Sequence, residues 1–354
     1  MTTTYKTLED LDLAILVGVN VSEMELDELA ALCLTCNIKE VGRAVQNRKD
    51  VDVAYYVGKG KVDEIKQMIA DTNATCVVFD VELSGSKVRN LEEVLEVPVL
   101  DRSKVILDIF AQRAQSMEGK MQVELAQLKY NSTRLVASGA GLAQMKNAIG
   151  MRGPGEKKLE LDKRTIRDQI TALEEKLRKV AANRDLTRRG AVKSGKTRVC
   201  IVGYTNSGKS TLLNTIAKAG VVAEDKLFAT LDPKTANVYM DGVQVLMTDT
   251  VGFINKLPHE FIRAFESTLD EARLADLLLH VVDISNPDYP NQIKVVDDVL
   301  SKIGAAAVPT IMVFNKTDIN QSFSTKEKNA VVISAKANTG IDELKRKILE
   351  YAKN

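Results

Sequence analysis

Gly203-Tyr204-Thr205-Asn206-Ser207-Gly208-Lys209-Ser210 follows the apolar run Val199-Cys200-Ile201-Val202 and precedes Thr211-Leu212-Leu213-Asn214-Thr215-Ile216-Ala217. The run before it reads as a buried strand and the run after it as a helix start. Strand, G-x-x-x-x-G-K-[ST], helix is the setting a phosphate-cradling loop requires. Glycines let backbone N–H groups close around an anion, and the helix N-terminus adds partial positive charge. Lys209 is expected on the β- and γ-phosphates, the Ser210 hydroxyl on Mg²⁺, and Thr211 beside the bound phosphates. The expected ligand is a nucleoside triphosphate.

Downstream segments complete such a site in order. Phe228-Ala229-Thr230-Leu231-Asp232-Pro233 lies in a largely irregular stretch, 221–237, where a threonine can join the metal only when a γ-phosphate is present. Thr230 is the expected ligand and Thr235 its competitor. The strand Val243–Met247 leads to Asp249-Thr250-Val251-Gly252, with Asp249 toward Mg²⁺ and the Gly252 amide toward the γ-phosphate. Lys209, Thr230 and Gly252 are therefore the expected catalytic groups. The strand Ile311–Phe314 ends in Asn315-Lys316-Thr317-Asp318. A carboxylate at Asp318 can accept N–H bonds from N1 and the 2-amino group of guanine, and adenine offers neither donor. Ser334-Ala335-Lys336 is expected to cover the base, with the Ala335 amide on its carbonyl. GTP and GDP are the ligands this order of motifs predicts.

Two residues bear on rate. Phe253 stands where many small GTPases place a water-orienting glutamine, so slow intrinsic hydrolysis is expected. Asn206 offers an amide oxygen that could hold K⁺ between the phosphates or, alternatively, cap the loop. His280, in the apolar strand Leu277–Val282, reads as core, and His259 as an anchor of the second switch.

At 354 residues the chain has length for two or three domains. A formal net charge of +1 means that any nucleic-acid contact needs a local basic patch. Cys33 and Cys36 share a helix face without a histidine nearby, and Cys76 and Cys200 sit in apolar strands, so all four read as buried rather than zinc-binding. The start, Met1-Thr2-Thr3-Thr4-Tyr5-Lys6, lacks an apolar leader, and no run is long enough to span a bilayer. A cytoplasmic, monomeric protein is expected.

The fold class expected is α/β: an N-terminal α/β domain over 1–100, a long antiparallel helical hairpin over 101–190, and a C-terminal P-loop GTPase domain with a mostly parallel sheet over 191–354. In the first part, strands are expected at Leu13–Val19, Val51–Val57, Thr75–Phe79 and Val97–Leu100, and helices at Met24–Cys36, Val62–Ile69 and Lys87–Leu95. Gly58-Lys59-Gly60-Lys61 reads as a turn with solvated lysines. Ile106, Phe110, Ala114, Met117, Met121, Leu125 and Leu128 form one apolar helical seam, and Leu159, Ile166, Ile170, Leu173, Leu177 and Val180 a second. Between them, 138–155 carries Gly139, Gly141, Gly150, Gly153 and Gly155 and reads as a glycine-rich tip suited to probing another macromolecule. Lys157, Lys158, Lys163, Arg164 and Arg167 open the second arm and Arg184, Arg188, Arg189, Lys193, Lys196 and Arg198 close it and its exit, an arrangement compatible with RNA or with a solvated face. Arg188–Gly195 reads as a linker.

The chain resembles the HflX family of ribosome-associated GTPases. The resemblance is carried by Tyr56-Val57-Gly58-Lys59-Gly60-Lys61, Val99-Leu100-Asp101-Arg102, Ile106–Ala114, Glu118–Leu128, Arg152-Gly153-Pro154-Gly155-Glu156, Phe228–Pro233 and Asp249–Phe253. It implies binding to the large ribosomal subunit and its rRNA, splitting of stalled or idle ribosomes, and hydrolysis tied to release. Departures include the tip sequence Met145–Arg152, Lys234-Thr235-Ala236 after Pro233, and an end at Asn354 where some relatives carry a further domain. The alternatives are a GTP-controlled RNA-binding switch in ribosome assembly or RNA metabolism, without splitting, and a tRNA-modification or assembly GTPase.

Overall fold

A computed structural model describes residues 12–144, 154–192, 196–217, 227–256, 261 and 266–353. Two compact units are distinguished: 1–112 with 123–175, and 113–122 with 176–354.

The first unit contains four parallel strands, β1 (Asp12–Val19), β2 (Ile38–Gln46), β3 (Cys76–Phe79) and β4 (Val99–Asp101), in the order β2-β1-β3-β4. Helices α1 (Glu23–Thr35), α2 (Lys59–Thr72) and α3 (Gly85–Leu95) make the crossovers such a sheet requires. Ser22 starts α1 with a reciprocal cap, its Oγ accepting from the Glu25 amide while Glu25 accepts from the Ser22 amide. One core packs α2 and α3 against a single face of the sheet through Ile15, Val17, Ile65, Val77, Phe79 and Leu91.

Two expectations in this unit are corrected. The second strand is Ile38–Gln46, not Val51–Val57. Asp52 accepts from the Ala54 and Tyr55 amides and pairs through its backbone with Tyr56, folding Val51–Val57 into a tight loop. Gly58-Lys59-Gly60-Lys61 is the N-cap and first turn of α2, and Lys61 pairs with Glu64 at 2.6 Å.

The first apolar seam is also interrupted. It forms α4 (Arg102–Arg113) and α5 (Met117–Gln144), separated at 114–116. Buried Arg102 pairs with Asp80 at 2.7 Å and with Glu28, while buried Asp101 accepts from the Tyr130 hydroxyl at 2.8 Å. These bonds fasten both helices to the carboxyl edge of the first sheet. The second seam forms α6 (Pro154–Val192), and Lys129 meets Glu174 at 2.7 Å. At 39 residues α6 is about 58 Å long at 1.5 Å per residue. Residues 188–192 therefore continue a helix rather than form a linker, as the helix-favouring Arg188, Arg189 and Ala191 allow. Likewise 138–144 and 154–155 are helical, so the loop expected over 138–155 shortens, and 145–153 lies outside the described residues.

The second unit carries six strands: β5 (Thr197–Gly203), β6 (Lys234–Met240), β7 (Val243–Asp249), β8 (Leu277–Asp283), β9 (Thr310–Asn315) and β10 (Ala330–Val332). Their order is β10-β9-β8-β5-β7-β6, parallel except for β6. Helices α7 (Lys209–Ala217), α8 (Glu266–Arg273), α9 (Tyr289–Lys302) and α10 (Ile341–Lys353) accompany them. Val199, Ile201, Leu213, Met247, Leu279 and Leu344 belong to one buried cluster. This packing fixes the carboxyl ends of β5, β7 and β9, where ligands bind in parallel α/β sheets.

Candidate functional site: a nucleotide cleft

The loop after β5 and the N-terminus of α7 line an open cleft of about 390 Å³ with Phe228, Ala229, Thr230, Thr250 and Gly252. β5 is buried from Val199 to Gly203, and Asn206 takes a left-handed φ of 60° in the loop that follows. Lys209 is buried and donates to the Gly203 and Tyr204 carbonyls at 3.2 and 2.7 Å. Burial lowers its ammonium to about 8, against an opposing pull from Asp249.

Three oxygens converge at one end of the cleft. Ser210 Oγ lies 2.8 Å from Thr230 Oγ1 and donates to Asp249 Oδ2 at 2.6 Å. Asp249 is fully buried, and its Oδ1 has no hydrogen-bond partner among the described residues. Burial raises its carboxyl above the ordinary range, while Lys209, Ser210 and Thr230 pull it down. A buried carboxylate oxygen left over beside two hydroxyls is a hard-oxygen set that suits Mg²⁺. Thr235, the competitor of Thr230, points its hydroxyl at Thr248 across β6 and β7.

The second switch is joined to the phosphate loop by backbone. Thr205 N–H donates to the Phe253 carbonyl at 2.7 Å and Phe253 N–H to the Gly203 carbonyl at 3.1 Å. The Asn255 amide donates to the Tyr204 hydroxyl at 2.8 Å, a contact with no sequence signal. Phe253 is 1% exposed, so its ring packs in the interior rather than facing a water. Val251 and Thr250 are buried beside it, and Thr250 donates to the Ile201 carbonyl. A Cβ on Gly252 would stand 2.8 Å from Thr205 Cα and 2.9 Å from Lys209 Nζ, so that position admits only glycine at this approach.

The base-reading residues gather beside the loop. Asn315 Nδ2 donates to the Ser207 carbonyl at 2.9 Å, and its Oδ1 accepts from the Ala335 amide at 2.9 Å. The Ala335 amide, expected on the base carbonyl, donates to Asn315 Oδ1 and so joins the two loops. Ser334 Oγ donates to Asp318 Oδ1 at 2.6 Å and accepts from the Ala337 amide, which orients the carboxylate. Lys316 adopts a φ of 71° and pairs with Asp283 at 2.7 Å, a partner that spacing did not reveal. Thr317 donates its amide to the Ile333 carbonyl.

His280 is a core residue. Burial takes its imidazole down to about 4, and Nδ1 stays 3.7 Å from Asp297. His259 lies outside the described residues. Cys33, Cys76 and Cys200 are buried and Cys36 half-buried, all free. No described helix is long and apolar enough to cross a membrane.

A phosphate loop feeding α7, buried Asp249 at the end of β7 and the Asn315-Lys316-Thr317-Asp318 stretch at the end of β9 define a P-loop GTPase. Three family descriptions match in succession: "GTP-binding GTPase N-terminal" over 23–111, "GTP-binding GTPase Middle Region" over 113–190 and "50S ribosome-binding GTPase" over 198–316. GTPase HflX of Caldanaerobacter subterraneus subsp. tengcongensis is 47% identical over 95% of this chain and 79% of its own. GTPase HflX of Escherichia coli is 41% identical over 92% and 78%. The chain belongs to the HflX family and is a GTPase. A crystal structure of SsGBP with GDP shares the fold, at a TM-score of 0.51 and 24% identity over 97% of this chain and 99% of that one.

Proposed function

We propose that the chain is a Mg²⁺-dependent GTPase of the cytoplasm that binds the large ribosomal subunit and separates joined ribosomes. The convergence of Ser210, Thr230 and Asp249 oxygens carries the nucleotide half of this reading. The family description matched over 198–316 supports the ribosomal half.

Ser210, Thr230 and Asp249 would hold the metal, which supplies charge neutralisation at the β- and γ-phosphates. The amides of 203–211 wrap the phosphates, and Lys209 leaves the Gly203 and Tyr204 carbonyls to meet them. The Gly252 amide reports the γ-phosphate through its link at Phe253. Phe228, Ala229, Leu231 and Asp232 hold the first switch against the nucleotide. Asn315 braces the loop, Lys316 lies along the base, and Asp318 reads its N–H edge under Ser334, Ala335 and Lys336. Water attacks the γ-phosphorus in line, without a covalent intermediate. Phe253 offers that water no hydrogen bond, so intrinsic turnover is slow.

Asn206 lines the cleft and is assigned a K⁺ ligand through its amide oxygen, adding positive charge between the phosphates. Hydrolysis in KCl is expected to exceed that in NaCl about tenfold, and Asn206→Ala to erase the difference. Equal wild-type rates in the two salts refute the assignment.

Sedimentation of ribosomes with the protein and a non-hydrolysable GTP analogue tests the ribosomal half. Co-migration with the large subunit and loss of joined particles is expected. Co-migration with joined particles intact would instead favour a GTP-controlled RNA-binding switch, and absence from every ribosomal fraction would refute both.

A further inference from the structure

The break between α4 and α5 is made by a residue of the first switch. Asp232 Oδ2 accepts from the Gln115 and Ser116 amides at 2.8 and 2.9 Å, and Oδ1 accepts from the Ser116 hydroxyl. Ser116 Oγ in turn accepts from the Gly119 amide at 2.8 Å, the geometry of a helix N-cap. A carboxylate 116 residues away in sequence thus completes the capping of α5, where the helix dipole favours negative charge. Gly119 is required by this approach, because a Cβ there would run into Asp232 Oδ1.

The other side of the same segment faces the nucleotide. Two residues before Asp232, Thr230 lies 2.8 Å from Ser210 Oγ, and buried Leu231 joins them. Residues 113–122 group with the nucleotide-binding unit, so the segment is pinned at both ends within one compact unit.

We infer that Asp232 is a positioning residue whose clasp on Gln115 and Ser116 holds Thr230 at the metal, making the root of α5 a sensor of the γ-phosphate. This rests on the reading of Thr230 as a metal ligand. When the γ-phosphate is present, Thr230 and the clasp reinforce each other. When it is lost, Thr230 loses its hold and the Gln115 and Ser116 amides open with it. Linkage is reciprocal: strain on the root of α5 weakens the triphosphate state by the factor that the triphosphate tightens the root.

Hydrogen exchange on the full chain tests this, read over 113–122 and 227–233 with Mg²⁺ and either GDP or a non-hydrolysable GTP analogue. Both segments are expected to exchange more slowly with the analogue. Gly119→Ala is expected to weaken the analogue about tenfold while leaving GDP affinity unchanged. Alanine raises helix propensity at that position, so a merely structural role predicts no such loss. Ser116→Ala, which removes one bond to Asp232, serves as the second variant and is expected to act in the same direction. Protection of 227–233 without protection of 113–122, or equal analogue affinity in both variants, overturns the clasp and leaves the nucleotide reading standing. No nucleotide dependence in either segment overturns both.

Discussion

Asp318→Asn is expected to weaken GTP and GDP binding by roughly 10³ and to bring xanthine nucleotides to affinities near those the native protein shows for guanine. On the proposed reading the native carboxylate would accept two N–H groups from one edge of the base, and Ser334 Oγ donates to it at 2.6 Å. An asparagine offers one acceptor and one donor. Its amide N–H then faces the guanine 2-amino group, donor against donor, whereas the xanthine carbonyl at that position accepts it. The loop is held independently through Asn315, which bonds Ser207 and Ala335. The effect therefore falls on base choice and not on folding. Competition of fluorescent GDP by GTP and by XTP measures it. Unchanged preference for guanine would move the base site elsewhere.

Lys209→Ala is expected to lower single-turnover GTP hydrolysis by about 10²–10³, the cost of removing one preorganised donor from developing negative charge. The ammonium is buried, and among the described residues the Gly203 and Tyr204 carbonyls accept from it. Both belong to the loop that closes around phosphate. On the proposed reading its charge is stored where the γ-phosphate would arrive, and among the described residues Lys209 is the one basic side chain lining the cleft. A rate within threefold of wild type would show that Lys209 is not on the phosphates.

The parts of the site that could be read from sequence are those where chemistry fixes spacing. A phosphate loop must join a strand to a helix, so Gly203–Ser210 announces itself and its flanking elements. Thr230 was separable from Thr235 only once β6 placed Thr235 opposite Thr248. Readings failed where a distant side chain or a local turn overrode the pattern. Val51–Val57 has strand composition, but the Asp52 carboxylate satisfies amides that a ladder would use. The seam from Ile106 to Leu128 keeps helical period through 114–116, and the local signal against it is Ser116, which caps α5 through the Gly119 amide. Asp232 completes the break by accepting from the Gln115 and Ser116 amides, and its proximity is a property of the tertiary fold. Spacing likewise carries no signal for the bond from the Ala335 amide to Asn315 Oδ1. The same physics hides Asp283 behind Lys316, because partners of opposite charge on different loops share no spacing rule.

The central claim is that one cleft couples guanine recognition to a metal-bound triphosphate. Calorimetric titration of the native chain with GTP and with ATP, each with Mg²⁺ and with EDTA, tests it most directly. GTP with Mg²⁺ is expected to bind at least 10³ more tightly than ATP and to weaken sharply in EDTA. Equal affinity for the two purines, or GTP binding indifferent to EDTA, would contradict the account.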